Sequence, residues 1–305
     1  MTSRQQLLLV LKISGRAVLL VGIGLLVLGV IGVYDALHPP RIVPPGYTLV
    51  KENIEFRSVD LLTEDGVRLS AWYTPPDDER SGAVILLAHG YGDNRPEWVH
   101  AMFAKGGYGV LSWDARAHGE SGGEISTLGY REVLDVKAAL DFVLAQPEIK
   151  HVGAWGGSMG GATLIRATAS LPQIEALVVD SSFSSLGEEI DFLAPYPFVN
   201  PLAKLLMAFV LDNDPYAASP LEKIGEISPR PVYIIQGSGD KVASPDSAEE
   251  LYEAAGDPRF LWVEEGVRHL ETFEANPRRY ERRVLRFFDE AFFGELVRQL
   301  EQNQP

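Results

Sequence analysis

Cysteine is absent from the 305 residues, which removes disulfides, thiolate zinc sites and a cysteine nucleophile together. Positive charge is scarce: 27 Lys and Arg stand against 42 Asp and Glu, for a formal net charge of −15. Residues 1–37 hold Arg4, Lys12 and Arg16 against Asp35, a net of +2, which leaves −17 on everything after them. A surface of that sign repels phosphate backbones and anionic headgroups, so neither nucleic acid nor peripheral attachment to a charged lipid surface is expected. Histidine is rare too, at six, so each one can be placed individually. Internal repeats and low-complexity tracts are also missing. What remains, 46% hydrophobic and 23% charged, is enough for a sizeable core and does not suggest disorder.

The apolar residues are unevenly spread. Between Arg16 and Asp35 lie 18 uncharged residues, almost all Leu, Val, Ile, Gly or Ala. A bilayer core of ~30 Å needs ~20 helical residues, with ~17 near the lower limit. A buried soluble helix would show a polar face, and this stretch has none. Arg4, Lys12 and Arg16 precede it, and positive flanks tend to stay cytoplasmic. The expectation is a short cytoplasmic N-terminus (1–16), a signal anchor (17–36) and an extracytoplasmic remainder. Cleavage of a secretory signal is disfavoured, because a cut after Ala36 would put the bulky Tyr34 three positions before it. Gly15, Gly22 and Gly29 recur every seven residues, although glycine is common in membrane helices in any case. Four prolines between His38 and Gly46 suggest an extended stalk, 37–49.

From about Ile54 the pattern becomes short β-type runs separated by helical stretches. Runs 54–59 and 67–74 flank Thr63-Glu64-Asp65-Gly66, whose Asp-Gly pair predicts a hairpin. Five unbroken apolar runs follow, at 83–88, 109–113, 152–155, 176–179 and 232–235, with a weaker one at 260–263. Apolar runs without alternation suit strands buried on both faces of a parallel sheet. Helical patterns lie between them at 97–105, 130–144 and 159–170; in the second, Val133, Val136, Leu140 and Val143 share one face. The alternation predicts a doubly wound, mostly parallel α/β domain over 50–295, with chemistry in the loops just past the strands' carboxyl ends. The interval 181–230 is too long for one crossover and predicts an inserted helical cap. The tail, 277–300, reads as an amphipathic helix packed on the sheet.

Gly156-Gly157-Ser158-Met159-Gly160 carries the strongest chemical signal. It follows one strand and opens a helix, the context a nucleophile elbow requires. A serine there stands above the sheet on a sharp turn, Gly156 and Gly160 leave room for the tight backbone, and the helix N-terminus favours developing negative charge. The glycine spacing and following acidic residue of a dinucleotide fingerprint are absent.

Together with His89-Gly90-Tyr91-Gly92 and Asp114-Ala115-Arg116-Ala117-His118-Gly119-Glu120-Ser121, the elbow resembles the α/β-hydrolase superfamily, and within it bacterial hydrolases related to serine aminopeptidases and acyl-peptidases. The resemblance covers about 54–293; Ala117 departs from it, since glycine is common there in these proteins. The fold's order of nucleophile, acid, histidine then sorts the histidines. His38 lies in the stalk, and His89, His100, His118 and His151 precede Ser158, so His269 is the expected base. Asp240, in Gln236-Gly237-Ser238-Gly239-Asp240-Lys241-Val242, resembles the family's acid loop. Asp246, at the start of a helix, and Asp257, in a Gly-Asp-Pro turn, are its rivals. The oxyanion needs two backbone donors: the N–H of Met159, and, as the resemblance implies, that of Tyr91. His89 is expected to support that loop, and Asp114, Arg116 and His118 to brace the next one.

These residues predict a serine hydrolase acting on a small-molecule acyl substrate, with an ester favoured. The alternatives are an aminopeptidase or amidase using the same triad, and a non-catalytic membrane-tethered binding protein on a hydrolase fold. Glu188, Glu189 and Asp191 in the cap are candidates for holding a substrate amino group. No cluster has metal-ligand spacing, so neither metal nor cofactor is expected.

Overall fold

The computed structural model describes residues 3–77, 80, 82–193, 199–211 and 219–302. Cap residues 194–198 and 212–218 lie outside the described residues.

Apolar runs with no polar alternation leave a strand no face to turn to water. In β-strand 83–88, Val84, Leu86 and Ala88 join one hydrophobic cluster while Ala83, Ile85 and Leu87 join another on the opposite face. The strands are β1 (Arg57–Leu62), β2 (Arg68–Thr74), β3 (Ala83–Ala88), β4 (Gly109–Trp113), β5 (His151–Gly157), β6 (Ala176–Asp180), β7 (Val232–Gly237) and β8 (Arg259–Glu264). They form one eight-stranded sheet in the order β1-β2-β4-β3-β5-β6-β7-β8. The β1–β2 and β2–β4 pairs are antiparallel and every other pair is parallel. The expected hairpin closes with Leu62 opposite Arg68 across the Asp-Gly turn.

The helices are α1 (Ser3–Leu37), α2 (Tyr47–Lys51), α3 (Glu97–Lys105), α4 (Glu132–Leu144), α5 (Met159–Ser170), α6 (Leu186–Leu193), α7 (Asn200–Leu211), α8 (Pro220–Lys223), α9 (Pro245–Ala254), α10 (Thr272–Ala275) and α11 (Pro277–Gln302). One face of the sheet is covered by α4, α5 and α9 through Val136, Leu140, Leu164, Ile165 and Leu251. The other is covered by α3 and α11 through Phe103, Tyr280, Val284 and Phe288. Burying side chains of this size contributes ~1.5–3 kcal/mol each. Phe288 packs so closely that a Cβ on Gly153 would come within 2.5 Å of its ring.

Helix α1 is apolar all round. Leu11–Leu37, 27 residues whose most apolar 18-residue stretch has a mean hydropathy of 2.7, is long enough to cross a membrane, at ~40 Å by a rise of 1.5 Å per residue. Val18 to Val30 is exposed on nearly every side, whereas Val33 and Leu37 are buried in a third cluster with Met159, Phe183, Leu186 and Met207. Gly29 lies against Leu202 and Leu206 of α7, while Gly15 and Gly22 meet nothing within 4 Å. The proline-rich segment after α1 has no regular secondary structure and runs along the domain rather than free of it. Arg41 donates to the carbonyls of Ser121 and Gly123, and Gly46 N–H donates to Glu97. In the cap interval, α6 and α7 join the third cluster, whereas Ile224 and Ile227, just after α8, return to the core shared with α5 and α9.

Candidate active site

The strand order reverses between β3 and β5, which diverge to opposite sides, and ligands bind open α/β sheets at such a point. The loops leaving these two strands carry His89-Gly90-Tyr91-Gly92 and Ser158.

Ser158 has φ 52° and ψ −122°, a left-handed conformation on a non-glycine residue, which costs ~1–3 kcal/mol. Its N–H donates to Asp180 O (2.8 Å) and its carbonyl accepts from Ala162 N–H and the Ser182 hydroxyl, so the turn is held from both sides. The flanking glycines are required by close approach. A Cβ on Gly156 would lie 2.6 Å from Gly160 C, and one on Gly160 would lie 2.2 Å from Ala88 O.

His269 lies beyond β8, and its Nδ1 is 2.8 Å from Asp240 Oδ2. A carboxylate only accepts, so Nδ1 carries the proton and Nε2 of the neutral ring is left as an acceptor. Asp240 is fully committed: Oδ2 also accepts from Gln236 Nε2 (3.0 Å), and Oδ1 accepts from the N–H groups of Val242 (2.8 Å) and Ala243 (3.0 Å). The rival Asp246 sits in the first turn of α9, and Asp257 is 89% exposed in an ion pair with Arg259. Ser158, Met159, Tyr91 and His269 line one cavity of about 490 Å³.

Among the described residues, neither Tyr91 N–H nor Met159 N–H has a hydrogen-bond partner. The neighbouring amide does: Gly92 N–H donates to His118 Nε2 (3.1 Å), while His118 Nδ1 is 2.9 Å from Arg116 O. His89 is held in the same way, with Nδ1 at Gly90 O (2.7 Å) and Nε2 accepting from Ala115 N–H (2.9 Å). Burial lowers both imidazoles to about 4, so they are neutral braces of this loop and not proton carriers at pH 7. The next loop is tied by Arg116 to Asp65 and Asp135 and by Arg95 to Asp114. Ala117 within it has φ 62°, the left-handed region that explains the usual glycine.

Several participants are not apparent in the sequence. Ser181 accepts Leu270 N–H (3.2 Å) and steadies the His269 loop. Asp180 ends β6 under Ser158 and is tied to the Tyr280 hydroxyl (2.7 Å), which in turn accepts from Trp155 Nε1 (2.9 Å). Burial raises Asp180 to about 6. Its position at a strand's carboxyl end was the available signal. Of the three cap acids, only Glu189 lines the cavity. Glu188 accepts from Ser184 Oγ, and Asp191 pairs with Lys204 and Asn200. Burial pushes Glu189 up to about 8, and its Oε2 has no partner among the described residues. Asp93, also raised by burial, is the second carboxyl in the lining. Most of the remaining wall is apolar, including Leu128, Phe183, Leu186, Ile190 and Val242. Among the described residues, no three His, Asp or Glu side chains gather as a metal site.

A mostly parallel eight-stranded sheet with a serine elbow after β5 defines an α/β hydrolase. The chain belongs to the α/β-hydrolase superfamily, with relatives that include esterases and peptidases. Residues 65–194 match the X-Pro dipeptidyl-peptidase (S15) family. An uncharacterized protein of Mycobacterium tuberculosis is 31% identical over 217 residues, covering 70% of this chain and 72% of its own. The α/β-hydrolase domain-containing protein WAV2 of Arabidopsis thaliana is 28% identical over 257 residues, covering 79% and 81%. Among solved structures, the esterase Pf2001 of Pyrococcus furiosus superposes with a TM-score of 0.70 at 28% identity, over 84% of this chain and 98% of that one.

Proposed function

We propose that the chain is a membrane-anchored serine hydrolase that cleaves carboxylic esters through Ser158, His269 and Asp240. The observation that carries this reading is the 2.8 Å pair between His269 Nδ1 and Asp240, in the same cavity as a serine on a strained elbow. Helix α1 is the anchor, with Arg4, Lys12 and Arg16 on the cytoplasmic side and the domain on the other.

His269 Nε2 takes the Ser158 proton as Oγ attacks the ester carbonyl carbon, and Asp240 stabilises the imidazolium that forms. The carbonyl oxygen becomes an oxyanion held by the N–H groups of Tyr91 and Met159. Collapse breaks the carbonyl carbon–alkoxy oxygen bond, and the alcohol leaves with the proton from His269. Water, deprotonated by the same imidazole, then releases the acid from the acyl-enzyme. Fluorophosphonate labelling and p-nitrophenyl acetate turnover are the tests. Wild-type protein should show both, and folded Ser158→Ala neither. Equal activity in the two proteins would place the nucleophile elsewhere, and a well-folded wild type inert to both reagents would favour a binding protein on a hydrolase fold.

The S15 match, together with Asp93 and Glu189 in the cavity, supports a second reading in which the leaving group is an amine and these carboxyls hold a substrate ammonium. Aminoacyl p-nitroanilides discriminate the two, since the ester reading expects them to turn over far more slowly than acyl esters.

A further inference from the structure

The site cavity does not end at the cap. A second cavity of about 510 Å³ begins where it stops, and Ala36, Ile190, Leu193 and Met207 line both. Its remaining wall is Leu28, Gly29, Gly32 and Val33 of α1 with Val199, Asn200 and Ala203 at the cap, so among the described residues Asn200 is the only polar side chain on it. Gly32 leaves the space open, with nothing within 4 Å of where its Cβ would be.

We infer that the two cavities form one acyl channel, running from Ser158 to the flank of α1, and that the substrate is a long-chain acyl ester drawn sideways from the bilayer. The inference rests on the serine-hydrolase reading above and specifies its substrate.

Three observations fix the occupant as a lipid chain. First, the outer end is walled by a helix long and apolar enough to span a membrane. Leu28 to Ala36 covers ~12 Å of its C-terminal third, the depth of acyl chains in the leaflet on the domain's side. Second, the cap presents an apolar face beside it: on α7, Leu205 is 67% and Phe209 85% exposed, as in a helix lying in a membrane interface. Third, the inner cavity is walled mostly by apolar side chains, including Leu128, Phe183, Leu186, Ile190 and Val242, with Asp93 and Glu189 as its two carboxyls among the described residues. Water-soluble substrates need none of these features.

The experiment uses the full chain in phosphatidylcholine vesicles, with p-nitrophenyl esters from acetate to dodecanoate and, separately, monooleoylglycerol held in the vesicles. Each methylene that finds channel wall should raise kcat/KM about fourfold. Gly32→Leu fills the outer cavity and should lower the dodecanoate-to-acetate ratio about tenfold or more. Partition of each ester into the bilayer is the same for both proteins, so this ratio reads the channel itself. Wild-type protein should also release oleate from the vesicles, and Ser158→Ala should not. An unchanged ratio in folded Gly32→Leu would overturn the channel. Dodecanoate turnover without oleate release would overturn entry from the bilayer. Loss of all turnover in the wild type, acetate included, would instead bring down the catalytic reading and the channel with it.

Discussion

Adding one methyl group at Gly160 tests the geometry of the elbow without touching any reacting group. A Cβ there would stand 2.2 Å from Ala88 O and 2.6 Å from His89 O, roughly 1 Å inside ordinary carbon–oxygen contact. Neither side yields easily. Ala88 ends β3 in the middle of the sheet and leads directly into the Tyr91 loop, while Gly160 is the second residue of α5 and follows Met159. Relief must move one proposed oxyanion donor away from the other. A 1 Å misplacement costs about 100-fold in rate, and the loss of one such donor about 100- to 1,000-fold. Overpacking costs ~1–3 kcal/mol of stability. Gly160→Ala should therefore remain folded at low temperature with kcat for p-nitrophenyl acetate down about 100- to 1,000-fold and KM little changed. Urea titration defines the folded range, and stopped-flow release of p-nitrophenol gives the rates. A folded variant within a few-fold of wild type would mean that the two amides do not act as a pair.

Asp240→Asn keeps the shape but reverses the hydrogen bond that sets the imidazole tautomer, so kcat should fall by about 10⁴ with unchanged thermal unfolding; a fall of tenfold or less would point to another acid. Glu189 binds its proton more tightly folded than unfolded, so stability should decline as pH rises from about 4.5 through about 8, the protein losing what protonation contributed. Glu189→Gln should flatten that decline in urea midpoints taken from pH 5 to 8.5 and keep long-chain ester turnover above pH 8; an identical slope in the variant assigns the effect to another group, Asp93 first. His118, lowered to about 4, acts in the opposite sense: its share of stability is present above about 6.5 and is lost as pH falls through about 4. His118→Leu leaves Gly92 N–H without an acceptor, so it should cost ~1–3 kcal/mol, slow acetate turnover and reduce the acid sensitivity; wild-type rates in that variant would remove His118 from the support of the Tyr91 loop.

The sheet was legible because its strands are short, unbroken and apolar; Ala83–Ala88 and Gly109–Trp113 fall where their runs begin and end. The elbow was legible for a different reason, since tight packing of Gly156 against Gly160 restricts what the chain can place there. His269 and Asp240 could be named by order along the chain, but their contact spans 29 residues and depends on how two loops after β7 and β8 lie. Ser181, Asp180 and Asp93 escaped because their roles come from burial and neighbours, and no spacing rule encodes those. The segment from His38 to Gly46 was misleading in the same way. Proline suggests an extended stalk, but it cannot reveal that Arg41 reaches two carbonyls on the domain.

Val33 and Leu37 are buried against the catalytic domain, Leu37 O accepts from Ser126 N–H, and Asp35 O accepts from the Tyr91 hydroxyl. The last turns of α1 are therefore masonry, whatever the rest of the helix does. A shortened chain starting at His38 would retain every side chain assigned to the reaction, yet Met159, Phe183 and Met207 would face water where a wall had stood. Such a protein should be prone to self-association and poor at telling long chains from short, so a shortened form prepared for convenience would report on a different enclosure from the one the full chain presents.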